Sequence, residues 1–201
     1  MRWTTAGRAP AAGDLLVAPP QQEPAPPQPP PPAPSTTAAA PAHPADGHPA
    51  VAATARALAE LDAGGQVVLL PPGPRTAADV AHHLGVPAAA VVRSTLLRAP
   101  GDRLVLVLAS GAHELFPPSL AAVLGVPHLE EVLEAETVRR TGSVLGSTSP
   151  VGLADPLPTY VDVTLAVHPV VWVPAGHPRA VFPTRYDELL RLAGAHPVET
   201  G

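Results

Sequence analysis

The run Gly146-Ser147-Thr148-Ser149-Pro150 combines small side chains with a closing proline. Backbone N–H groups in such a loop can approach a ligand closely, polarising a carbonyl or holding a phosphate. A plain turn of chain is the commoner account of any Gly/Ser/Pro stretch, so the loop alone decides nothing. The second candidate is Arg93, the lone charge between Ala88 and Leu97, flanked by Val91, Val92, Leu96 and Leu97. An arginine so placed is either at an exposed strand position or in a cleft facing an anion. Taken by itself, the exposed position is the simpler account.

Other chemistries are closed off by what the 201 residues lack. There is no cysteine, and all 12 basic residues are arginine. Disulfide scaffolds, thiolate metal sites, cysteine nucleophiles and lysine chemistry are therefore excluded. No Gly-rich phosphate loop, GxSxG elbow or HExxH helix occurs. Of the nine histidines, His82 and His83 are adjacent and point different ways on a helix, and the others stand singly. Without ligand spacing they imply neither a metal nor a cofactor. Glu130, Glu131, Glu134 and Glu136 read as a solvated face. A formal net charge of −5 excludes a broadly cationic nucleic-acid coat.

These residues must be positioned by a domain that begins after the proline-rich start. Of 30 prolines, 14 fall before residue 51. Residues 1–48 have few large apolar groups to offset ordering entropy, so a disordered tail with polyproline II character is expected there. Residues 49–201 form the ordered domain. Val51, Ala55, Leu58 and Leu61 recur at helical spacing up to Gly64-Gly65. Gln66 to Leu70 reads as a strand. Thr76 with Asp79 is a capping-box pattern for a helix through Leu84, closed by Gly85. Val91 to Leu97 and Arg103 to Leu108 form a hairpin about Pro100-Gly101-Asp102.

Further along, short helices are expected at Ser119 to Leu124 and Ala135 to Arg140, with His128 to Leu133 open as strand or helix. Thr141 to Pro158 is a long loop, the kind that usually has a job. Strands follow at Thr159 to Asp162, Val170 to Val173 and Ala180 to Phe182, with a turn at Ala175-Gly176. Thr184, with Asp187 three residues on, caps a last helix carrying Leu189, Leu190 and Leu192. Interleaved strands and helices with a hairpin give a mixed α/β domain, not a doubly wound parallel sheet.

In their order and spacing, these pieces resemble the YbaK/EbsC family, relatives of the editing domain inserted in bacterial prolyl-tRNA synthetases. The resemblance runs from about Val51 to Ala195. Arg75-Thr76-Ala77-Ala78-Asp79-Val80-Ala81 with Leu84-Gly85-Val86 is similar to the family's early helix. Val92-Arg93-Ser94 sits at its V-K-T/S strand. Thr141-Gly142 and Gly146-Ser147-Thr148-Ser149-Pro150-Val151-Gly152 resemble its TG…GGxSPxG loop. Leu157-Pro158-Thr159-Tyr160-Val161-Asp162 is similar to its LPTxxD element. Ala175-Gly176, Ala180-Val181-Phe182 and the helix to Ala195 complete the pattern. Two positions depart from it: Arg93 stands at the family's lysine, and Ser147 at the second loop glycine.

The resemblance implies a mixed β-sheet or partial barrel flanked by helices. It also implies an aminoacyl-tRNA deacylase without cofactor, which hydrolyses the ester of a mischarged tRNA at its 3′ acceptor end. Ser94 after the basic residue is similar to the Cys-tRNA(Pro) branch. On this reading Arg93 binds the terminal phosphate. Backbone N–H groups of Gly146, Ser147, Thr148 and Ser149 position the carbonyl, Pro150 fixes the loop, and Asp162 orients the site or supports the loop. Ser94, Thr148, Ser149 and Gly176 contact substrate. Prolyl-tRNA synthetase is an implied partner. A non-catalytic module that keeps the pocket and holds a tRNA end or a protein, with the Pro-rich tail as docking arm, is the alternative. A small-molecule esterase lacks a visible nucleophile. No apolar run approaches the length of a signal-peptide core or a membrane span, so a soluble, cytoplasmic protein without membrane contact is expected.

Overall fold

A computed structural model describes residues 47–74 and 76–200. The expected tail disorder, the docking arm and Arg75 therefore lie outside the described residues, apart from Gly47 and His48. Helix α1 (Pro49–Glu60) opens with Pro49 in its first turn, where a missing N–H costs nothing. Its buried stripe is Val51, Thr54 and Leu58. Ala55 and Leu61, expected on that stripe, are exposed. Thr54 takes the inward place because its hydroxyl donates to the Ala50 carbonyl at 2.9 Å and so carries no unpaired polar atom inside.

Strand β1 is only Val68–Leu69. Helix α2 (Ala77–Leu84) has the expected capping box between Thr76 and Asp79 and ends at Gly85 in the left-handed conformation. Strands β2 (Val92–Ala99) and β3 (Arg103–Ser110) pair along their full length. The link between them is tight because Gly101 and Asp102 both take positive φ, of 78° and 61°. Helix α3 (Pro117–Val123) starts two residues before the expected Ser119, since prolines are tolerated in a first turn. The ambiguous stretch after His128 contains a short edge strand, β4 (Glu130–Glu131), followed by helix α4 (Glu134–Thr141).

Strand β5 (Thr159–Asp162) runs parallel to β3. The chain does not turn at Ala175-Gly176. Strand β6 (Val171–His177) continues through that pair with a bulge between Pro174 and His177, and the reversal falls at Pro178-Arg179 before β7 (Ala180–Thr184). The glycine is required for a different reason: a Cβ on Gly176 would lie 2.8 Å from the Ala50 carbonyl carbon of α1. Helix α5 (Tyr186–Ala193) has Arg185, not Thr184, at its N-cap. Thr184 ends β7, and its hydroxyl donates to Glu188 Oε2 at 2.7 Å. A last strand, β8 (His196–Val198), pairs parallel with β5 and was not foreseen.

The strands form two sheets, β4-β2-β3-β5-β8 and β1-β7-β6. A bridge between Val91 and Trp172 ties the start of β2 to β6. The mixed α/β architecture is thus observed, with helices packed on the sheets. Strand β3 lies inside and is buried from Leu104 to Ser110, which explains its continuous apolar run. Leu106 and Leu108 face the main core with Val51, Leu58, Val161, Val173, Phe182 and Leu189. Val105 and Val107 face a second cluster with Leu97, Leu120 and Val198. A third cluster, Leu70, Val80, Val91, Trp172 and Val181, joins α2 to the corner between the sheets. No helix among the described residues is long and apolar enough to cross a membrane.

Candidate functional site

At that corner a cleft of about 510 Å³ opens between the first turn of α2, the start of β2, the Leu145–Ser147 bend and the β6–β7 hairpin. Arg93 and the pair Gly146-Ser147 line it together, although 53 positions separate Arg93 from Gly146 along the chain. Pairing explains the meeting: Ser94 bridges Gly146 across the two backbones. The two readings of Arg93 merge, because its side chain is exposed and it also lines the cleft. Arg93 Nη1 donates to the His113 carbonyl oxygen at 3.3 Å, which anchors one side of the guanidinium.

The bend is shaped by Gly146, whose φ is +77°. Among described non-glycine residues only Asp62 and Asp102 have positive φ, so Ser147 sits where the family has glycine without backbone strain. The Ser147 N–H donates to the Val144 carbonyl at 3.1 Å, and its own carbonyl accepts from the Gly176 N–H at 2.9 Å. Among the bend's amides, that of Ser147 is therefore committed to the turn. Its side chain makes no hydrogen bond among the described residues and belongs to the cleft wall.

The remaining expected site residues stand behind the cleft. Ser94 is buried because side chains alternate along β2 and Arg93 takes the cleft side, and its hydroxyl has no partner among the described residues. The Thr148 hydroxyl lies 3.4 Å from that of Thr141, and Ser149 Oγ accepts from the Val151 N–H at 3.3 Å. Pro150 follows, half-buried, where the chain turns inward. Gly176 braces the bend through its N–H while packing on Ala50.

Asp162 is fully buried. It accepts from the Ser110 and Thr164 N–H groups and the Thr200 hydroxyl, and pairs with His113 Nδ1 at 3.1 Å. Burial alone would push its pKa up, but the bonds from Thr164, Thr200 and Ser110 prevail and hold it below the usual carboxylate value. Its place is under His113, whose carbonyl holds Arg93, and not against the Gly146–Pro150 bend.

Two contributors were missed from sequence. Thr76, Ala77 and Ala78 present the positive end of α2 to the cleft. His177 lines the wall supplied by β6. Nothing in Ala175-Gly176-His177-Pro178 marks that histidine out from eight others; a strand continuing past Gly176 was the missing information. Burial pushes its pKa down, and His48 and Arg179 add to the shift. Among the described residues no cluster of three metal-ligating side chains occurs.

Residues 71–192 match the family model of the aminoacyl-tRNA editing domain. The chain belongs to that family. A solved structure described as a candidate trans-editing enzyme for prolyl-tRNA synthetase is 32% identical, with a TM-score of 0.68 over 76% of this chain and 98% of that one. A scaffold from computational epitope grafting is 33% identical with a TM-score of 0.70, covering 76% and 99%. Proline–tRNA ligase of Geobacillus kaustophilus is 33% identical over 95 residues, which are 47% of this chain and 17% of the ligase. The chain thus matches under a fifth of that relative's length. In this chain α1 and β1 precede the residues that the family model matches, and β8 follows them.

Proposed function

We propose that the cleft is the hydrolytic site of an aminoacyl-tRNA deacylase acting in trans on mischarged tRNA, with Cys-tRNA(Pro) as its substrate. The observation that carries this is the convergence of Arg93 and the Gly146–Ser147 bend on one cleft large enough for an aminoacyl-adenosine terminus. The guanidinium takes the phosphate of the terminal adenosine, with the α2 N-terminus adding favourable potential. The bend sets the ester carbonyl. Water attacks that carbonyl; the carbonyl carbon's bond to the ribose oxygen breaks, the ribose oxygen takes up the proton the water gives up, and the free amino acid leaves. The ester is already activated, so holding and orienting it supplies much of the rate.

A second pocket of this kind has a physical purpose. A synthetase site shaped for proline excludes a smaller amino acid by only about 1–3 kcal/mol, and destroying the wrong ester supplies the missing discrimination. The protein is to be incubated with tRNA(Pro) charged with cysteine, alanine or serine, and ester loss followed. Cysteine should be released fastest. Removing the guanidinium in Arg93→Ala forfeits a charged hydrogen-bonding contact of about 1.5–3 kcal/mol, so about 10- to 150-fold in kcat/KM should be lost. Arg93→Lys, which restores the charge, should keep most of it. Binding without hydrolysis of any ester would instead support the non-catalytic module, and equal activity in all three proteins would refute the phosphate role.

A further inference from the structure

Four polar side chains line the cleft among the described residues: Thr76, Arg93, Ser147 and His177, with no carboxylate. Thr76 accepts from the Asp79 N–H in the helix cap, and Arg93 is anchored on His113. His177 differs, because its protonation pattern is fixed by the backbone. Its Nδ1 accepts from the Arg179 N–H at 3.1 Å. A neutral imidazole that accepts at Nδ1 carries its proton at Nε2. The neighbouring His48 ring is tilted against it with centroids 5.3 Å apart, yet His48 Nδ1 accepts no hydrogen bond from any described residue, the His177 Nε2–H included. At the end of β6, His177 thus offers a neutral donor in the lining of a cleft whose cationic donor, Arg93, comes from the other sheet.

We propose that His177 is a substrate-contacting residue of this cleft, its Nε2–H donating to an acceptor oxygen of the aminoacyl-ribose ester while Arg93 holds the phosphate. This rests on the deacylase reading above. A donor cannot serve the α-ammonium group, which also only donates, so the ester and ribose oxygens are the groups it matches. Burial with His48 and Arg179 nearby keeps the ring neutral. A neutral donor also holds the released carboxylate less tightly than a cation would, which favours product departure.

The side chains of Gln and Asn separate the two jobs of the ring. The Gln amide nitrogen reaches the Nε2 position, whereas the Asn oxygen reaches the Nδ1 position and would serve only the Arg179 N–H. Wild type, His177→Gln, His177→Asn and His177→Phe are to be compared in ester hydrolysis. In parallel, each is titrated with 3′-cysteinylamido-3′-deoxyadenosine 5′-monophosphate, whose amide resists cleavage. The Gln variant should stay near wild type in both assays, while Asn and Phe lose about 10²-fold in turnover, as for loss of one positioned donor, and bind the amide more weakly. Retention by Asn with loss by Gln would assign the ring to the hairpin turn and overturn the proposal, as would full activity in Phe. A wild type that neither cleaves any ester nor binds the amide would remove the deacylase reading and this proposal together. Active wild type with indistinguishable variants would remove this proposal alone.

Discussion

At Asp162, three hydrogen-bond donors and the His113 ring converge on one buried carboxylate, at 2.7–3.2 Å. Asp162→Ala would leave the Ser110 and Thr164 N–H groups and the Thr200 hydroxyl without acceptors. At about 1–3 kcal/mol for each unsatisfied buried group, a loss of about 3 kcal/mol or more is expected in denaturant unfolding at neutral pH. The pH dependence has a definite sign. The folded-state pKa is depressed below the ordinary 3.8, so the stabilisation is fully present above that value. It is lost as pH falls through the folded value. The gap between wild type and variant should therefore shrink in acid, and a gap constant down to strongly acidic pH would contradict the ionised account. Because His113 is the residue that Asp162 steadies and Arg93 leans on, the variant should also deacylate more slowly. From sequence, Asp162 stood out only through Leu157-Pro158-Thr159 before it. Whether it served the site or the loop depended on which donors surround it, and all but the neighbouring Thr164 N–H come from two distant parts of the chain, Ser110 with His113 and Thr200.

The bend at Gly146 is held by elements that are themselves held by glycines. Gly152, at φ +76°, backs onto α1 so closely that a Cβ would lie 2.6 Å from the Ala53 carbonyl oxygen. Gly176, at φ +92°, does the same against Ala50 and also donates to the Ser147 carbonyl. Gly176→Ala should lower the melting temperature by more than Gly85→Ala, where φ is +68° but nothing lies within 4 Å. The second substitution costs only the conformational penalty of about 1–2 kcal/mol; the first adds a collision with backbone that cannot swing aside. Gly176→Ala should also slow ester cleavage, because the bend loses its brace, and equal melting temperatures would refute the close-packing account. Elements with complete local signals were legible in the sequence: the Thr76–Asp79 cap, the stop at Gly85, the turn at Gly101-Asp102. Elements set by remote contacts were not. Strand β8 carries Pro197 in its centre and forms only because β5 offers a parallel edge. Gly176 read as a turn because a bulge and a turn demand the same residue.

The whole chain carries a net charge of −5, yet the proposed substrate is a polyanion. The cleft resolves this by engaging one end of the substrate through one guanidinium. A single neutralised phosphate on single-stranded RNA gives a slope of about −0.7 in a plot of log(kcat/KM) against log salt. A slope of about −3 or steeper would mean that further arginines grip the tRNA body. The site is also composite at this scale. Arg93 belongs to one sheet and His177 to the other, so neither sheet alone holds the polar groups of the cleft. One consequence follows from where α1 lies. It precedes residue 71, where the match to the family model begins, yet Ala50 and Ala53 press on Gly176 and Gly152. A fragment trimmed to residues 71–192 would keep every residue assigned here to substrate and lose the anvil on which the bend is forged.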